Sequence, residues 1–300
     1  MITEIDTIRI HFSEDHKLVM NACLSFVMFG VALHISVDDF RRISKFPKSI
    51  LVGLASQWLI LPILTVYLIH AWNPPPSVAL GLLLVASCPG GNLSNFMTQY
   101  SKGNAALSVT LSSIVSLSSM VLTPLAFLAY SHFVPSTRPL METIRLDQWE
   151  MVRMLLILLV APLCLGVLTG ILYPKLTARI RKTVQRISLL IYISFIIAAI
   201  YPNLNNLVNH VHRVFLLVVL HNMLGMLAGY YWAKWHRLPE ADAKAISMET
   251  GIQNAGLGLA LVFTFFPYLG GMMLVVAFWA IWDMISSLLV GFYWHRKRTV

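Results

Sequence analysis

The stretch Ser247-Met-Glu-Thr-Gly-Ile-Gln-Asn-Ala-Gly-Leu-Gly258 places one carboxylate, two amides and three glycines inside an otherwise apolar segment of membrane length. A charged side chain at mid-bilayer depth costs about 2.5–3.5 kcal/mol on insertion scales, so such a residue usually has a function. A second polar, helix-breaking cluster, Cys88-Pro-Gly-Gly-Asn-Leu-Ser-Asn95, interrupts another apolar segment. Interrupted segments in opposite halves of one chain indicate a binding site at mid-membrane depth.

The composition predicts a membrane protein. Of the 300 residues, 57% are hydrophobic and 12% are charged, and the mean hydropathy is +0.72. A soluble domain carries about 25% charged residues. The formal charge of +9 does not indicate nucleic-acid binding, because lysine and arginine lie in short clusters between apolar runs. That distribution is typical of chains whose membrane orientation is set by charge.

Nine apolar runs are long enough to cross a bilayer as helices, which takes about 20 residues each. The predicted spans are residues 18–37, 48–70, 77–99, 105–131, 151–173, 187–204, 211–233, 244–266 and 270–294. Sixteen of the 22 basic residues fall on one side of these spans. The positive-inside rule therefore predicts an external N-terminus and a cytoplasmic C-terminus in a multi-pass protein of the plasma membrane, here a bacterial inner membrane.

The two polar clusters predict two broken helices that meet at mid-membrane. Pro89 has no N–H and ends or kinks a helix near Cys88, and Gly90 and Gly91 add backbone freedom. We expect Asn92, Ser94 and Asn95 to cap a new half-helix. Helix N-termini favour anions, whereas freed carbonyls and a carboxylate favour a hard cation such as Na⁺. The pattern therefore predicts cation-coupled transport of an organic anion.

At these residues the chain resembles the bile acid:sodium symporter family. The resemblance rests on the Cys88–Asn95 cluster with its continuation Lys102-Gly-Asn-Ala-Ala-Leu-Ser108, and on Glu249-Thr-Gly-Ile-Gln-Asn254. Two shorter stretches support it, Val37-Asp-Asp-Phe40 after the first span and Leu220-His-Asn222 in the seventh. His221 and Asn222 lie within a predicted helix, and we expect them to hydrogen-bond a neighbouring helix.

The resemblance implies an all-α polytopic membrane protein of nine transmembrane helices with inverted-topology repeats. In that fold two discontinuous helices cross in a core domain, and a panel domain rocks against the core. The implied domains are an N-terminal tail 1–17, a panel helix 18–46, a first core half 48–132, panel helices 150–209, a second core half 211–295 and a C-terminal tail 296–300.

The resemblance also implies two sodium sites that share one carboxylate. The first site would use the side chains of Ser94, Asn95, Ser108, Ser112 and Glu249. The second would use the side chains of Gln57, Glu249 and Gln253 with the backbone carbonyls of Thr250 and Ile252. Both sets contain only oxygen ligands, as a hard cation requires.

The implied substrate site lies at the two half-helix starts. Its candidate residues are Asn92, Ser94, Asn254, Asp283 and Met284. The last span departs from the family pattern, because Trp-His-Asn in close relatives reads Trp282-Asp283-Met284 here. Asp283 could pair with a basic group, stay protonated, take part in coupling, or be a structural carboxylate capped by Ser286 or Ser287. This departure places bile acid as the substrate in doubt.

The predicted function is sodium-coupled symport, by alternating access, of a small carboxylate, sulfonate or bile-acid-like anion with two Na⁺. The implied partners are that anion and the lipid bilayer, without nucleic acid or an obligate protein partner. A proton-coupled or efflux carrier of the same superfamily stays open, as does a membrane sensor that does not transport. An intramembrane hydrolase is disfavoured because the sequence contains neither His-Glu-x-x-His nor Gly-x-Ser-x-Gly.

Overall fold

The computed structural model describes residues 4–7, 14–33, 47–143, 153, 156–201 and 204–296. These residues are almost entirely helical. The helices are α1 Glu14–Ala32, α2 Pro47–Trp72, α3 Pro76–Ser87, α4 Asn92–Tyr100, α5 Ala105–His132, α6 Arg138–Thr143, α7 Ala161–Leu172, α8 Pro174–Ile200, α9 Leu204–Trp235, α10 Glu240–Gly251, α11 Ala255–Phe265 and α12 Gly270–Arg296. The motif Val37-Asp-Asp-Phe40 lies outside the described residues, and so does the side chain of Asn92.

Three of the described helices are long and apolar enough to cross a membrane, namely Pro47–Trp72, Val208–Trp235 and Gly270–Arg296. Helix α5 adds a fourth if its two halves, which meet at an angle of 72°, form one span. Pro124 explains this bend, because its ring clashes with the carbonyl four residues earlier, at Met120. Four shorter apolar helices lie in other predicted spans. The count of nine spans stays a prediction.

Two of the short apolar helices belong to interrupted segments. Helix α3 ends at Ser87 and α4 begins at Asn92, so Cys88–Gly91 forms a first break. Helix α10 ends at Gly251 and α11 begins at Ala255, so Ile252–Asn254 forms a second break. Both interruptions lie in the polar clusters that the sequence singled out.

One connection between predicted spans is itself helical. The basic run 174–186 was assigned to a connection before a span beginning at residue 187. The structure has a single helix, α8, from Pro174 to Ile200. Proline is well suited to the first turn of a helix because the N–H it lacks would have no partner there. The residues that follow it are also good helix formers.

The core lies around α3, α11 and α12. Every residue of α3 is buried, and α11 is buried from Ala255 to Phe263. The largest of these buried side chains include Phe263 and Trp279, which are 0% exposed. Helix α1 packs against α7 and α8, and both α1 and α8 also contact α11. The two breaks therefore lie at one edge of a densely packed core.

The N-terminal tail packs against this core, although its polar sequence gave no sign of it. Residues Glu4–Thr7 form a 3₁₀ turn in which Ile5 and Asp6 are buried. The Asp6 carboxylate accepts a 2.8 Å hydrogen bond from the backbone N–H of Ser77, in the first turn of α3. It thereby satisfies a backbone donor that has no partner within the helix. The tail is thus attached to the first turn of α3, where the first interrupted segment begins.

Candidate functional site

The two breaks are hydrogen-bonded to each other. The N–H of Gly91 donates to the carbonyl of Ile252 at 3.0 Å, and the N–H of Asn254 donates to the carbonyl of Pro89 at 2.9 Å. These two bonds flank Gly90 and Gln253, which form an isolated antiparallel bridge. The four half-helices therefore meet at one point, where their broken backbones partly satisfy one another.

Gly90 and Gly91 are needed for this close approach of the two backbones. A β-carbon on Gly91 would lie 3.2 Å from the carbonyl oxygen of Gln253. Among the described glycines none has a positive φ, and Gly91 has an extended backbone that any residue can adopt. The sequence prediction attributed these glycines to backbone freedom. The structure instead shows that they leave room for the opposite break.

The carboxylate of Glu249 is the centre of the first set of predicted ligands. Its Oε1 atom lies 2.6 Å from the hydroxyl of Ser94, 2.5 Å from that of Ser108 and 2.9 Å from that of Ser112. The Ser112 hydroxyl is also 2.9 Å from Oε2. The Oδ1 atom of Asn95 lies 2.9 Å from the Ser108 hydroxyl and 3.2 Å from that of Ser112. All five predicted residues are therefore together.

This cluster has more oxygen–oxygen contacts than hydrogens. With the contact of Ser94 to the Gly91 carbonyl, the three hydroxyls make seven such contacts. Each hydroxyl carries a single hydrogen, and an ionised carboxylate carries none. The seven contacts therefore share three hydrogens. A hard cation with oxygen ligands or an additional proton would satisfy the remaining oxygen lone pairs.

Ser94 and Asn95, two of the residues predicted to cap the new half-helix, do not cap it; the side chain of the third, Asn92, lies outside the described residues. Helix α4 begins after Gly91 without a side-chain cap. The hydroxyl of Ser94 and the amide oxygen of Asn95 instead lie at the Glu249 cluster. Ser94 is 0% exposed, so its hydroxyl is fully taken up by this cluster. Its placement fits the predicted cation site and not the predicted substrate site.

The second set of predicted ligands surrounds two paired amides. The side chains of Gln57 and Gln253 donate to each other's Oε1 atoms, at 3.0 and 3.2 Å. Gln253 also donates to the carbonyl of Thr250 at 2.8 Å, whereas the carbonyl of Ile252 accepts from Gly91. The Thr250 hydroxyl lies 2.8 Å from that of Ser56. Each amide oxygen therefore accepts one hydrogen bond and retains a second lone pair for a cation.

Two long helices, α2 and α9, each donate a side-chain amide hydrogen bond to a backbone carbonyl where a helix ends at a break. Gln57, in the π-helical turn Ser56–Ile60 of α2, donates to the Cys88 carbonyl at 2.9 Å. Asn222 of α9 donates to the Gly251 carbonyl at 3.0 Å.

His221, next to Asn222 in α9, shares a 2.6 Å hydrogen bond with Thr65 of α2. The expectation that His221 and Asn222 bond to neighbouring helices is confirmed, but their relation to the breaks was missed.

Helices α9 and α10 pack closely through glycines that the sequence analysis overlooked. A β-carbon on Gly225 would lie 3.2 Å from the carbonyl oxygen of Thr250, and one on Gly229 would lie 2.9 Å from that of Ile246. A third glycine, Gly251, faces Met226 of α9. The spacing Gly225-x-x-x-Gly229 is the known signal for close helix packing in membranes. This spacing could have identified α9 as the helix that packs against α10, which carries Glu249.

Of the predicted substrate residues, Asn254 lies at the second break with one side of its amide free. Its Oδ1 atom accepts the N–H of Leu257 at 3.0 Å and so caps α11. The side chain is partly exposed. Because the oxygen is held by the cap, the NH₂ group is the part available to a ligand. Asn92 begins α4 at the first break.

Asp283 and Met284 are neighbours in sequence but point in different directions. The Asp283 carboxylate is buried and lies near the backbone N–H of Gln253. Its Oδ1 atom has no partner among the described residues. The expected cap from Ser286 or Ser287 is absent, because both hydroxyls contact backbone carbonyls instead.

Met284 differs from the expectation that it faces a ligand. It is 54% exposed, on the same apolar outer face of α12 as Ile281 and Leu288. Residues three, four and seven positions apart share one side of a helix. Asp283 lies on the inner side of the same helix, beside Gln253. The structure therefore brings Asp283 to the crossing and leaves Met284 outside it.

The described residues contain no cluster of three or more His, Cys, Asp or Glu side chains that could hold a metal ion. The partners of Glu249 are serine hydroxyls, and the amide oxygen of Asn95 contacts two of them. All of these are neutral, hard oxygen ligands. These oxygen ligands suit a monovalent hard cation. They do not suit a transition metal, which prefers imidazole or thiolate ligands.

Comparison with known proteins gives consistent matches. A family model described as the Sodium Bile acid symporter family matches residues 21–210. An uncharacterized sodium-dependent transporter of Bacillus subtilis, YocS, is 30% identical over 274 residues, which is 91% of this chain and 82% of the relative.

Two eukaryotic relatives are longer than this chain. The probable sodium/metabolite cotransporter BASS1 of Arabidopsis thaliana, a chloroplastic protein, is 27% identical over 238 residues, 79% of this chain and 57% of the relative. The human P3 protein is 26% identical over 255 residues, 84% of this chain and 52% of the relative. The chain thus spans little more than half the length of these two proteins.

Proposed function

Because this chain belongs to the sodium bile acid symporter family, in which it is a multi-pass membrane protein, we propose that it is a sodium-coupled secondary transporter of a small organic anion and not an enzyme. The bacterial and plant relatives are named as sodium-dependent transporters. The single observation that carries the proposal is the convergence of three hydroxyls on Glu249, beside the crossing of the two breaks. Two of these hydroxyls also contact the amide oxygen of Asn95.

In this proposal two Na⁺ ions are carried around Glu249. The first ion is bound by the Glu249 carboxylate with Ser94, Asn95, Ser108 and Ser112. Support comes from the shortage of hydrogens in that cluster, because an ion would occupy lone pairs that now face each other. A buried carboxylate also requires a positive charge nearby to remain ionised.

The second ion is bound by the side chains of Gln57, Glu249 and Gln253 and by the carbonyls of Thr250 and Ile252. Support comes from the paired amides, since each of them also donates to a backbone carbonyl at the end of a helix. The second ion occupies the lone pair that each amide oxygen retains.

The organic anion binds at the starts of α4 and α11, next to Asn92 and Asn254. The N-termini of these two half-helices carry partial positive charge, and the free NH₂ group of Asn254 is a hydrogen-bond donor. Asp283 lies near the backbone of Gln253, the residue that precedes Asn254. We leave Met284 out of the proposed site because its side chain is exposed on the outer face of α12.

Transport occurs by alternating access between a panel and a core built from inverted repeats, in a bacterial inner membrane with the N-terminus outside. The panel comprises residues 18–46 and 150–209, and the core comprises 48–132 and 211–295. The packing of α1 on α7 and α8 supports the panel. The matched amide bonds of Gln57 to Cys88 and of Asn222 to Gly251 support a repeat that relates the two core halves.

A proton-coupled carrier is the second candidate, favoured by the same cluster, because one proton on Glu249 also adds a hydrogen to the crowded oxygens. The two candidates are separated by uptake of radiolabelled carboxylates, sulfonates and steroid conjugates into proteoliposomes. Sodium coupling predicts accumulation under an inward Na⁺ gradient at equal pH, and no accumulation when K⁺ replaces Na⁺. Accumulation driven by a pH gradient alone, in Na⁺-free buffer, would contradict the sodium mechanism.

A further inference from the structure

Helix α8 carries a basic segment that is part of the helix itself. Its first half contains Lys175, Arg179, Arg181, Lys182 and Arg186, all of them exposed. The helix contains no aspartate or glutamate. Among the described residues, none of these five side chains forms an ion pair with an acidic group. The first half of α8 is therefore a helical segment with a high density of positive charge.

Four of these side chains form one stripe. Lys175, Arg179, Lys182 and Arg186 follow each other at spacings of four, three and four residues, so they lie within about 60° of one another on the helix. The buried residues Thr177 and Ser188 lie about half a turn away from the stripe. That buried face packs on α1, where Gly30 faces Ser188 and Val184. The stripe, which we call the basic stripe, points away from the protein.

The face that carries the basic stripe becomes apolar farther along the helix. Leu190 is 65% exposed and Ile197 is 60% exposed, and both lie about 40–60° from Lys175 around the helix axis. In a multi-pass membrane protein such exposed apolar side chains contact lipid acyl chains. The basic stripe therefore continues the lipid-facing side of α8 toward the aqueous phase.

The length of α8 places the stripe at headgroup depth. Its 27 residues span about 40 Å, whereas the hydrocarbon core of a bilayer is about 30 Å thick. The apolar part from Ile187 to Ile200 lies within hydrocarbon, so the turns that precede it reach the interface and the water beyond it. Arg186 and Lys182 are the first charged residues outside the apolar part.

We propose that the basic stripe is a binding site for the headgroups of anionic phospholipids. Arginine binds phosphate oxygens with two parallel hydrogen bonds, and lysine adds a point charge. Four to eight basic residues next to a membrane-spanning helix are a known arrangement for anionic lipids. Because α8 packs on α1 and α7, lipid binding would attach this part of the molecule to the adjacent leaflet.

The test measures the unfolding temperature of the full chain in neutral detergent micelles with added phosphatidylglycerol or phosphatidylcholine. Phosphatidylglycerol should stabilise the wild type and phosphatidylcholine should not. Arg186→Gln should raise the half-saturating concentration of phosphatidylglycerol about fivefold, the effect of one interfacial charge. Arg181→Gln is the matched control, since Arg181 is equally an exposed arginine of α8 but lies about 120° away from Lys182 and Arg186.

The variant Lys175→Gln/Arg179→Gln/Lys182→Gln/Arg186→Gln should lose the preference for phosphatidylglycerol altogether. If this fourfold variant does not fold, the proposal is tested by the comparison of Arg186→Gln with Arg181→Gln alone. Equal effects of Arg181→Gln and Arg186→Gln, or equal stabilisation by both lipids, would overturn the proposal. Stabilisation by soluble glycerol 1-phosphate at the same phosphate concentration would also overturn it, because the ligand would then not need to be a lipid.

Discussion

Gly90 faces Glu249 so closely that a β-carbon on Gly90 would lie 3.0 Å from the Oε2 atom of the carboxylate and 3.3 Å from the Glu249 carbonyl oxygen. The only glycine-specific feature here is space, because the backbone at the break has no left-handed residue. The residue at position 90 therefore sets how near the first break can come to the carboxylate on α10.

Gly90→Ala should weaken Na⁺ binding without unfolding the protein. The methyl group forces the carboxylate to move by a few tenths of an ångström, and overpacking of this kind costs about 1–3 kcal/mol. We expect a rise of about tenfold in the Na⁺ concentration that half-saturates the shift in unfolding temperature. Gly170→Ala is the control, because nothing lies within 4 Å of that position. Identical Na⁺ dependence in both variants would show that the space at Gly90 does not serve ion binding.

Asn254→Ser should separate helix capping from substrate binding. Serine is as good an N-cap as asparagine, so the bond to the Leu257 N–H and the stability of α11 should survive. The NH₂ donor is lost, and binding of a transported anion should weaken about tenfold, as for one hydrogen bond to a charged group. Binding is measured by isothermal titration at saturating Na⁺. A variant with unchanged anion affinity would remove Asn254 from the substrate site.

Asn222→Ala should destabilise the protein while leaving its Na⁺ dependence in place. The change leaves the buried Gly251 carbonyl without its 3.0 Å donor, and an unsatisfied buried acceptor costs about 1–3 kcal/mol. The measurement is the unfolding temperature in Na⁺-free and Na⁺-containing buffer. Met223→Ala, at an exposed position of the same helix, is the control and should change little. Equal destabilisation by the two variants would mean that the Asn222 bond contributes nothing specific.

Asp6→Ala should loosen the first turn of α3. The lost bond to the Ser77 N–H is of the helix-capping type, which contributes about 1 kcal/mol. Asp6→Asn retains an acceptor oxygen and should keep most of the stability. Amide hydrogen exchange of residues 77–80 provides the readout. No faster exchange in the alanine variant would indicate that the N-terminal tail does not stabilise α3.

The positions of both breaks were predictable because their causes are local. A proline and two glycines in an apolar run oppose a continuous helix, and polar residues at the same place give the freed backbone groups partners. The second break contains no proline, and Gly251, the last residue of α10, packs against Met226 of α9. That contact is tertiary, so the polar string around Glu249 could indicate the break but not the packing of α10 at its end.

The details of the site were less predictable. Family resemblance grouped Ser94, Ser108 and Ser112 with Glu249, and the structure brings them within hydrogen-bonding distance of it. From spacing alone, Ser94 was expected to cap α4. A serine hydroxyl can hydrogen-bond either to the nearby backbone or to a distant carboxylate. The sequence around Ser94 does not indicate where α10 and its carboxylate lie.

The extent of α8 and the position of Met284 were not predicted, for two different physical reasons. Hydropathy identifies only the part of a helix that lies in hydrocarbon, so the polar first half of α8 was read as a connection. Met284 was chosen by its position beside Asp283, but adjacent residues of a helix differ by about 100° in direction. For α8 the missing information was the length of the helix, and for Met284 it was which way a helix face points.

The most direct test is the Na⁺ dependence of the unfolding temperature of Glu249→Gln in detergent, compared with wild type. Glu240→Gln is the control, since Glu240 is on the same helix but forms a partly exposed ion pair with Lys234. We expect Na⁺, and neither K⁺ nor choline, to stabilise the wild type and Glu240→Gln, and we expect this stabilisation to be absent in Glu249→Gln. A Glu249→Gln protein stabilised by Na⁺ as strongly as wild type would contradict ion binding at this carboxylate.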